Sequence, residues 1–76
     1  MPHVIVKLTA GRSERQKAMI AAEITKAIMA YAGTDEDAVS VAIEDIASED
    51  WVETVYKPDI LAKSETLYKK PGYDPL

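Results

Sequence analysis

Proline at position 2 is the residue whose chemistry is most sensitive to its place in this 76-residue chain. Methionine aminopeptidases remove a leading Met before so small a residue, and removal of Met1 would leave Pro2 as a terminus with a secondary amine that accepts a proton. An ordinary α-amine has a pKa of about 7.7 to 8.0. A ring amine is more basic, so a base for neutral pH needs that value lowered by desolvation or by nearby cations. His3 is the other titratable ring beside it, but neighbours on a strand point to opposite faces, which makes His3 structural or interfacial rather than a second acid/base. The same alternation splits Glu44 and Asp45 between a solvated face and a turn. Among the tyrosines, Tyr56 and Tyr68 are the ones to test as pocket lining.

Pro2 is placed by a strand. Val4, Val6 and Leu8 share one face and His3, Ile5 and Lys7 the other, and proline as the first residue of a strand removes no ladder bond. Ser13 to Gln16 has capping-box spacing. Ile20, Ile24, Ala27, Ile28 and Tyr31 then recur at helical period among several alanines, which predicts a helix over 13–32 ended by Gly33. After a polar turn at 34–37, residues 38–46 alternate with Val39, Val41 and Ile43 inward and Ser40, Ala42 and Glu44 outward, a second strand. Strand, helix and strand over this length make a βαβ unit with parallel strands and a right-handed crossover. Ser48 is placed to cap a short helix over 49–56. Pro58 interrupts it, a further helix with a weak amphipathic pattern covers 59–68, and 69–76 reads as an extended tail, lying on a neighbour or frayed, a poor place for chemistry.

Seventy-six residues give one domain, 1–76, whose small core needs support from elsewhere. There is no cysteine for a disulfide or thiolate site, and one histidine does not make the usual zinc ligand set. A formal charge of −4 with nine scattered basic residues speaks against nucleic-acid binding. No segment has the length of a signal peptide core or a membrane span, so the expected location is cytoplasmic, away from membranes. Association is the remaining source of stability. Two parallel strands leave both edges open, and a two-fold pairing would build a four-stranded sheet. The strand from Pro2 to Leu8 extends about 20 Å at roughly 3.3 Å per residue. Arg12 therefore cannot share a ligand with the Pro2 of its own chain, and antiparallel packing of two chains would bring them together.

Met-Pro, a short strand, Gly11-Arg12-Ser13, Glu14-Arg15-Gln16-Lys17, a long Ala/Ile helix and a second strand near position 40 together resemble the 4-oxalocrotonate tautomerase family over Pro2 to Trp51. The tail with Lys69-Lys70-Pro71-Gly72-Tyr73 is most similar to the PptA-like subgroup, which has a helical C-terminal region. The resemblance implies an α/β fold of the β-α-β tautomerase type and a cofactor-independent keto-enol tautomerase in which Pro2 is the base and acid. It implies that Arg12 meets the substrate carboxylate, where a bidentate pair would also disfavour an ammonium on Pro2. Trp51 falls at the family's aromatic wall, with an N–H that can donate one hydrogen bond. Ser40 stands where family members carry a second arginine, and its hydroxyl is a lesser donor for a ligand oxygen. That exchange disfavours a dicarboxylate dienol and favours a monocarboxylate enol such as an arylenolpyruvate. The implied partners are a small-molecule enol or keto acid and a second copy of the chain, a homodimer rather than a hexamer. The alternatives are a hydratase or dehalogenase acting on unsaturated acids, and a non-catalytic oligomeric binding module.

Overall fold

The computed structural model describes residues 1–76. Strand β1 runs His3–Thr9, helix α1 Glu14–Ala32, strand β2 Ser40–Ile46 and helix α2 Val52–Leu61. Short 3-10 turns at Glu36–Ala38, Ser48–Asp50 and Ser64–Thr66 lie between and after them.

Local chemistry sets the limits of α1. The Ser13 side chain accepts from the Gln16 amide at 3.1 Å, and the Gln16 side chain accepts from the Ser13 amide at 2.8 Å, so the expected capping box is present. Gly33 ends the helix at φ 67° and ψ 46°, a left-handed conformation that costs glycine little. The strands are parallel, paired from His3↔Ser40 to Thr9↔Ile46. The Ser40 amide donates to the Pro2 carbonyl at 3.1 Å and the Ala10 amide to the Ile46 carbonyl at 2.8 Å, extending the ladder at both ends.

Register and alternation put Val4, Val6 and Leu8 on one face with Val41 and Ile43, and His3, Ile5 and Lys7 on the other with Ser40, Ala42 and Glu44. Helix α1 packs chiefly against β2, and Lys17 on the helix reaches Asp45 at 2.8 Å. On the opposite face Lys7 forms an ion pair with Asp59, which ties α2 to β1. Both lysine pKa values are raised by these partners, Lys7 first by its hydrogen bond to Asp59 and Lys17 first by its hydrogen bond to Asp45.

Several expectations change. Tyr31 was placed on the apolar stripe but is 93% exposed. The 19 residues of α1 run about 28 Å while seven strand residues span about 20 Å, so the last helical turn has no sheet beneath it. Ser48 does not cap a helix: it lies within a 3-10 turn that has no side-chain cap. Pro58 does not interrupt α2 but sits inside it, because this helix is wound in the wider π manner. The Ala62 amide accordingly reaches back five residues to the Lys57 carbonyl at 3.0 Å. The helix expected over 59–68 reduces to the end of α2 and one 3-10 turn, with Tyr68 fully exposed. Its weak pattern offers no apolar face for a neighbouring element to cover.

The protomer is a plate of 40 × 30 × 19 Å, too thin to enclose much. Only Val55 and Tyr56, at 4% and 6% exposure, are buried, and both belong to α2. No residue of α1 is fully buried, and Ile5 on the open sheet face stays 53% exposed.

Candidate active site

Pro2, His3 and Ser40 meet at the N-terminal end of the sheet. Pro2 is half-buried, and the Ser40 amide on its carbonyl fixes it beside the start of β2. His3 Nδ1 and Ser40 Oγ are 2.6 Å apart, as expected for register partners on the same face. The Ser40 hydroxyl thus already has one partner, and the imidazole sets its direction: a bare Nδ1 takes the hydroxyl proton, whereas Nδ1–H leaves that proton free for another acceptor.

Arg12 lies at the other end, and Trp51 follows β2 beyond a 3-10 turn. Arg12 follows β1 after a turn through Gly11, whose φ of 130° favours glycine. Its Nη1 donates to the Thr9 carbonyl at 2.8 Å and to Thr9 Oγ1 at 2.9 Å. No carboxylate pairs with Arg12, although four lysines of the chain have acidic partners. The guanidinium is therefore positioned from one side, with its Nη2 and Nε donors left for an anion. Trp51 follows β2 and is half-buried, and its Nε1–H donates to the Tyr73 hydroxyl at 3.0 Å. The one hydrogen bond that this N–H can donate is thus committed within the chain.

Tyr73 is the residue that reading the sequence missed. Its ring lies 5.7 Å from that of Tyr56 at 44°, so the tail is anchored on its own chain through Tyr56 and Trp51. The available signal was the Pro71-Gly72 turn that folds an aromatic back. Burial is the first cause raising the Tyr56 pKa, with Asp74 and Tyr73 adding to it, and the phenol stays protonated around neutrality. Of the two tyrosines expected to line a pocket, Tyr56 packs in the core and Tyr68 faces solvent.

Of the four expected site residues the structure brings Pro2 and Ser40 together, with Arg12 separated from them by the length of β1 and Trp51 bonded to Tyr73. That length is roughly 20 Å for its seven residues. The chain's one concavity, between α1 and the turn at 36–38, is lined by Ala22, Thr25, Lys26, Met29 and Glu36 and contains none of the four. No group of acidic residues and histidine is arranged to hold a metal ion. No helix is long and apolar enough to cross a membrane.

The family model described as "Tautomerase enzyme" matches residues 2–55. This chain belongs to the tautomerase family. A probable tautomerase of Xylella fastidiosa is 46% identical over 76 residues, covering 100% of this chain and 93% of the relative. Tautomerase PptA of Escherichia coli SMS-3-5 is 36% identical over 74 residues, 96% of this chain and 97% of the relative. Among solved structures, TomN, a 4-oxalocrotonate tautomerase homologue of the tomaymycin biosynthetic pathway, aligns with a TM-score of 0.64 at 34% identity, over 66% of this chain and 77% of TomN. A 4-oxalocrotonate tautomerase isozyme from Methylibium petroleiphilum gives a TM-score of 0.64 at 34% identity, over 66% and 81%. The tautomerase is accordingly an isomerase of the 4-oxalocrotonate tautomerase fold. Proton transfer between carbon and oxygen of a small molecule is the chemistry its groups have to serve.

Proposed function

We propose that the tautomerase ketonises a monocarboxylate enol of the arylenolpyruvate class, without a cofactor, with the Pro2 amine as base and acid once Met1 is removed. The amine takes the proton of the enol hydroxyl and the oxygen becomes a carbonyl. The C=C pair then collects the proton from the prolinium, and the carbon gains what the oxygen lost. Arg12 of a second protomer holds the carboxylate, and its charge favours the neutral amine. Trp51 forms the apolar wall, and Ser40 offers its hydroxyl near the amine when His3 does not take that proton.

One observation carries this reading: a guanidinium paired with no carboxylate is fixed by Thr9 at the opposite end of β1 from Pro2. Pairing two chains antiparallel supplies both groups to one ligand. The thin protomer and the half-exposed Ile5 support a homodimer as the functional unit. Intact mass establishes whether Met1 has been removed, and Pro2→Ala in the processed protein should fold and lose most ketonisation of phenylenolpyruvate. Unchanged turnover would remove the amine from the mechanism.

The His3–Ser40 contact favours a second reading, activation of water for addition to an unsaturated acid. Comparing enol turnover with haloacrylate turnover separates the two reactions. Labelling of Pro2 by a 3-halopropiolate separates either enzyme from a binding module.

A further inference from the structure

Tyr73 lies beyond residues 2–55 matched by the family model, yet its hydroxyl accepts from Trp51, which lies within them. The phenol sits between two constraints. Its ring rests on Tyr56, 6% exposed, at 5.7 Å, and its oxygen takes the Trp51 N–H at 3.0 Å. Between Leu67 and Leu76 there is no helix or strand, so these two contacts hold the tail in place. A phenol that accepts one bond still carries its own O–H, and accepting makes that proton a better donor. Tyr73 remains 49% exposed, and no acceptor within the chain receives its proton.

The position of this donor selects what it can meet. Arg12 follows Thr9 and Trp51 follows Ile46, the residues that pair at the last rung of the sheet, with a 3-10 turn between Ile46 and Trp51. In the reading above, the carboxylate end of the substrate lies at Arg12, the reacting carbon at the partner's amine, and the aryl group along Trp51. The Tyr73 hydroxyl borders the Trp51 edge and therefore faces the far end of that aryl group.

We propose that Tyr73 is a substrate-contacting, specificity-determining residue: its hydroxyl, held by Trp51, donates to an oxygen on the distal ring of an aryl enol acid. This rests on the proposed aryl enol acid reading for the substrate's orientation, whereas the Trp51–Tyr73 contact stands without it. A site with a donor committed to a substrate oxygen discriminates against the analogue lacking that oxygen.

Tyr73→Phe keeps the ring on Tyr56 and deletes only the hydroxyl. Its kcat/KM is compared with wild type for phenylenolpyruvate and for 4-hydroxyphenylenolpyruvate, after circular dichroism shows an unchanged fold. The expected result is a fall about tenfold larger for the hydroxylated substrate, the size of one hydrogen bond. Equal effects on both substrates overturn the assignment. Trp51 is the only tryptophan, so its fluorescence gives a readout independent of turnover. Titration with 4-hydroxycinnamate and with cinnamate should change the emission, with 4-hydroxycinnamate losing about tenfold more affinity in Tyr73→Phe. If neither enol is turned over but this binding difference appears, the reaction is misassigned and the role of Tyr73 survives. If turnover is normal and both differences are absent, the role of Tyr73 fails and the reaction stands. An emission that no aryl acid changes also overturns it.

Discussion

Arg12 is held by a threonine rather than by an acid, and that difference gives it the power to bind an anion. Its remaining donors match a carboxylate, and charge-assisted hydrogen bonds contribute about 1.5–3 kcal/mol. Arg12→Ala should therefore lower kcat/KM by roughly ten- to 150-fold. A rise in KM alone would mean equal binding of ground and transition states, and a fall in kcat would mean that the contact tightens during proton transfer. Thr9→Val keeps the backbone carbonyl and removes only the hydroxyl, so its effect should have the same kinetic form and be several-fold smaller. A Thr9→Val effect as large as that of Arg12→Ala would contradict the orienting role. The placement of Pro2 and Arg12 at opposite ends of β1 was legible because each position is defined by its place beside a strand end. The His3–Ser40 and Trp51–Tyr73 contacts were not, since they join residues 37 and 22 positions apart and depend on strand register and on the path of the tail.

Among the elements, α1 was the most legible because its beginning, its stripe and its end each have a local cause. Ser13→Ala removes half of the capping box and should cost about 1 kcal/mol, or about 4–8 °C of melting temperature. Gly33→Ala forces a Cβ into the left-handed region, with no neighbouring atom within 4 Å to complicate the comparison. It should be destabilising by about 1 kcal/mol, and an unchanged melting temperature would argue against the left-handed cap. The strands were equally readable, their alternation matching the observed register. The C-terminal third was not. Helical periodicity assumes 3.6 residues per turn, and α2 turns more slowly, so the apolar positions and Pro58 pointed to a break that the chain does not make. Tyr31 shows the complementary limit: period identifies a stripe but not how far the sheet beneath it extends.

For the whole molecule, the titrations form one pattern. Lys7 and Lys17 are raised by their acidic partners and Tyr56 chiefly by burial, so in all three the folded chain holds its proton more tightly than the unfolded chain. Stability from these groups is complete below about pH 10, where unfolded tyrosine and lysine begin to titrate, and is lost as pH rises through the folded values. Denaturation midpoints should fall above about pH 10. A midpoint that rises in that alkaline range would contradict the three assignments. Because a single chain buries only Val55 and Tyr56, the proposed dimer should also melt at higher temperature as protomer concentration increases. A melting temperature independent of concentration, with a monomer mass by light scattering, would exclude the shared site.

The parallel pairing of β1 with β2 has a genetic consequence. Position 2 and position 12 flank the same strand, so a site assembled from two chains takes one of these residues from each. Disabling alleles at the two positions should then complement each other within the one gene. In a mixed assembly of Pro2→Ala and Arg12→Ala chains, one site collects both lesions and the other is left intact. Co-expression should restore part of the turnover that each allele alone lowers.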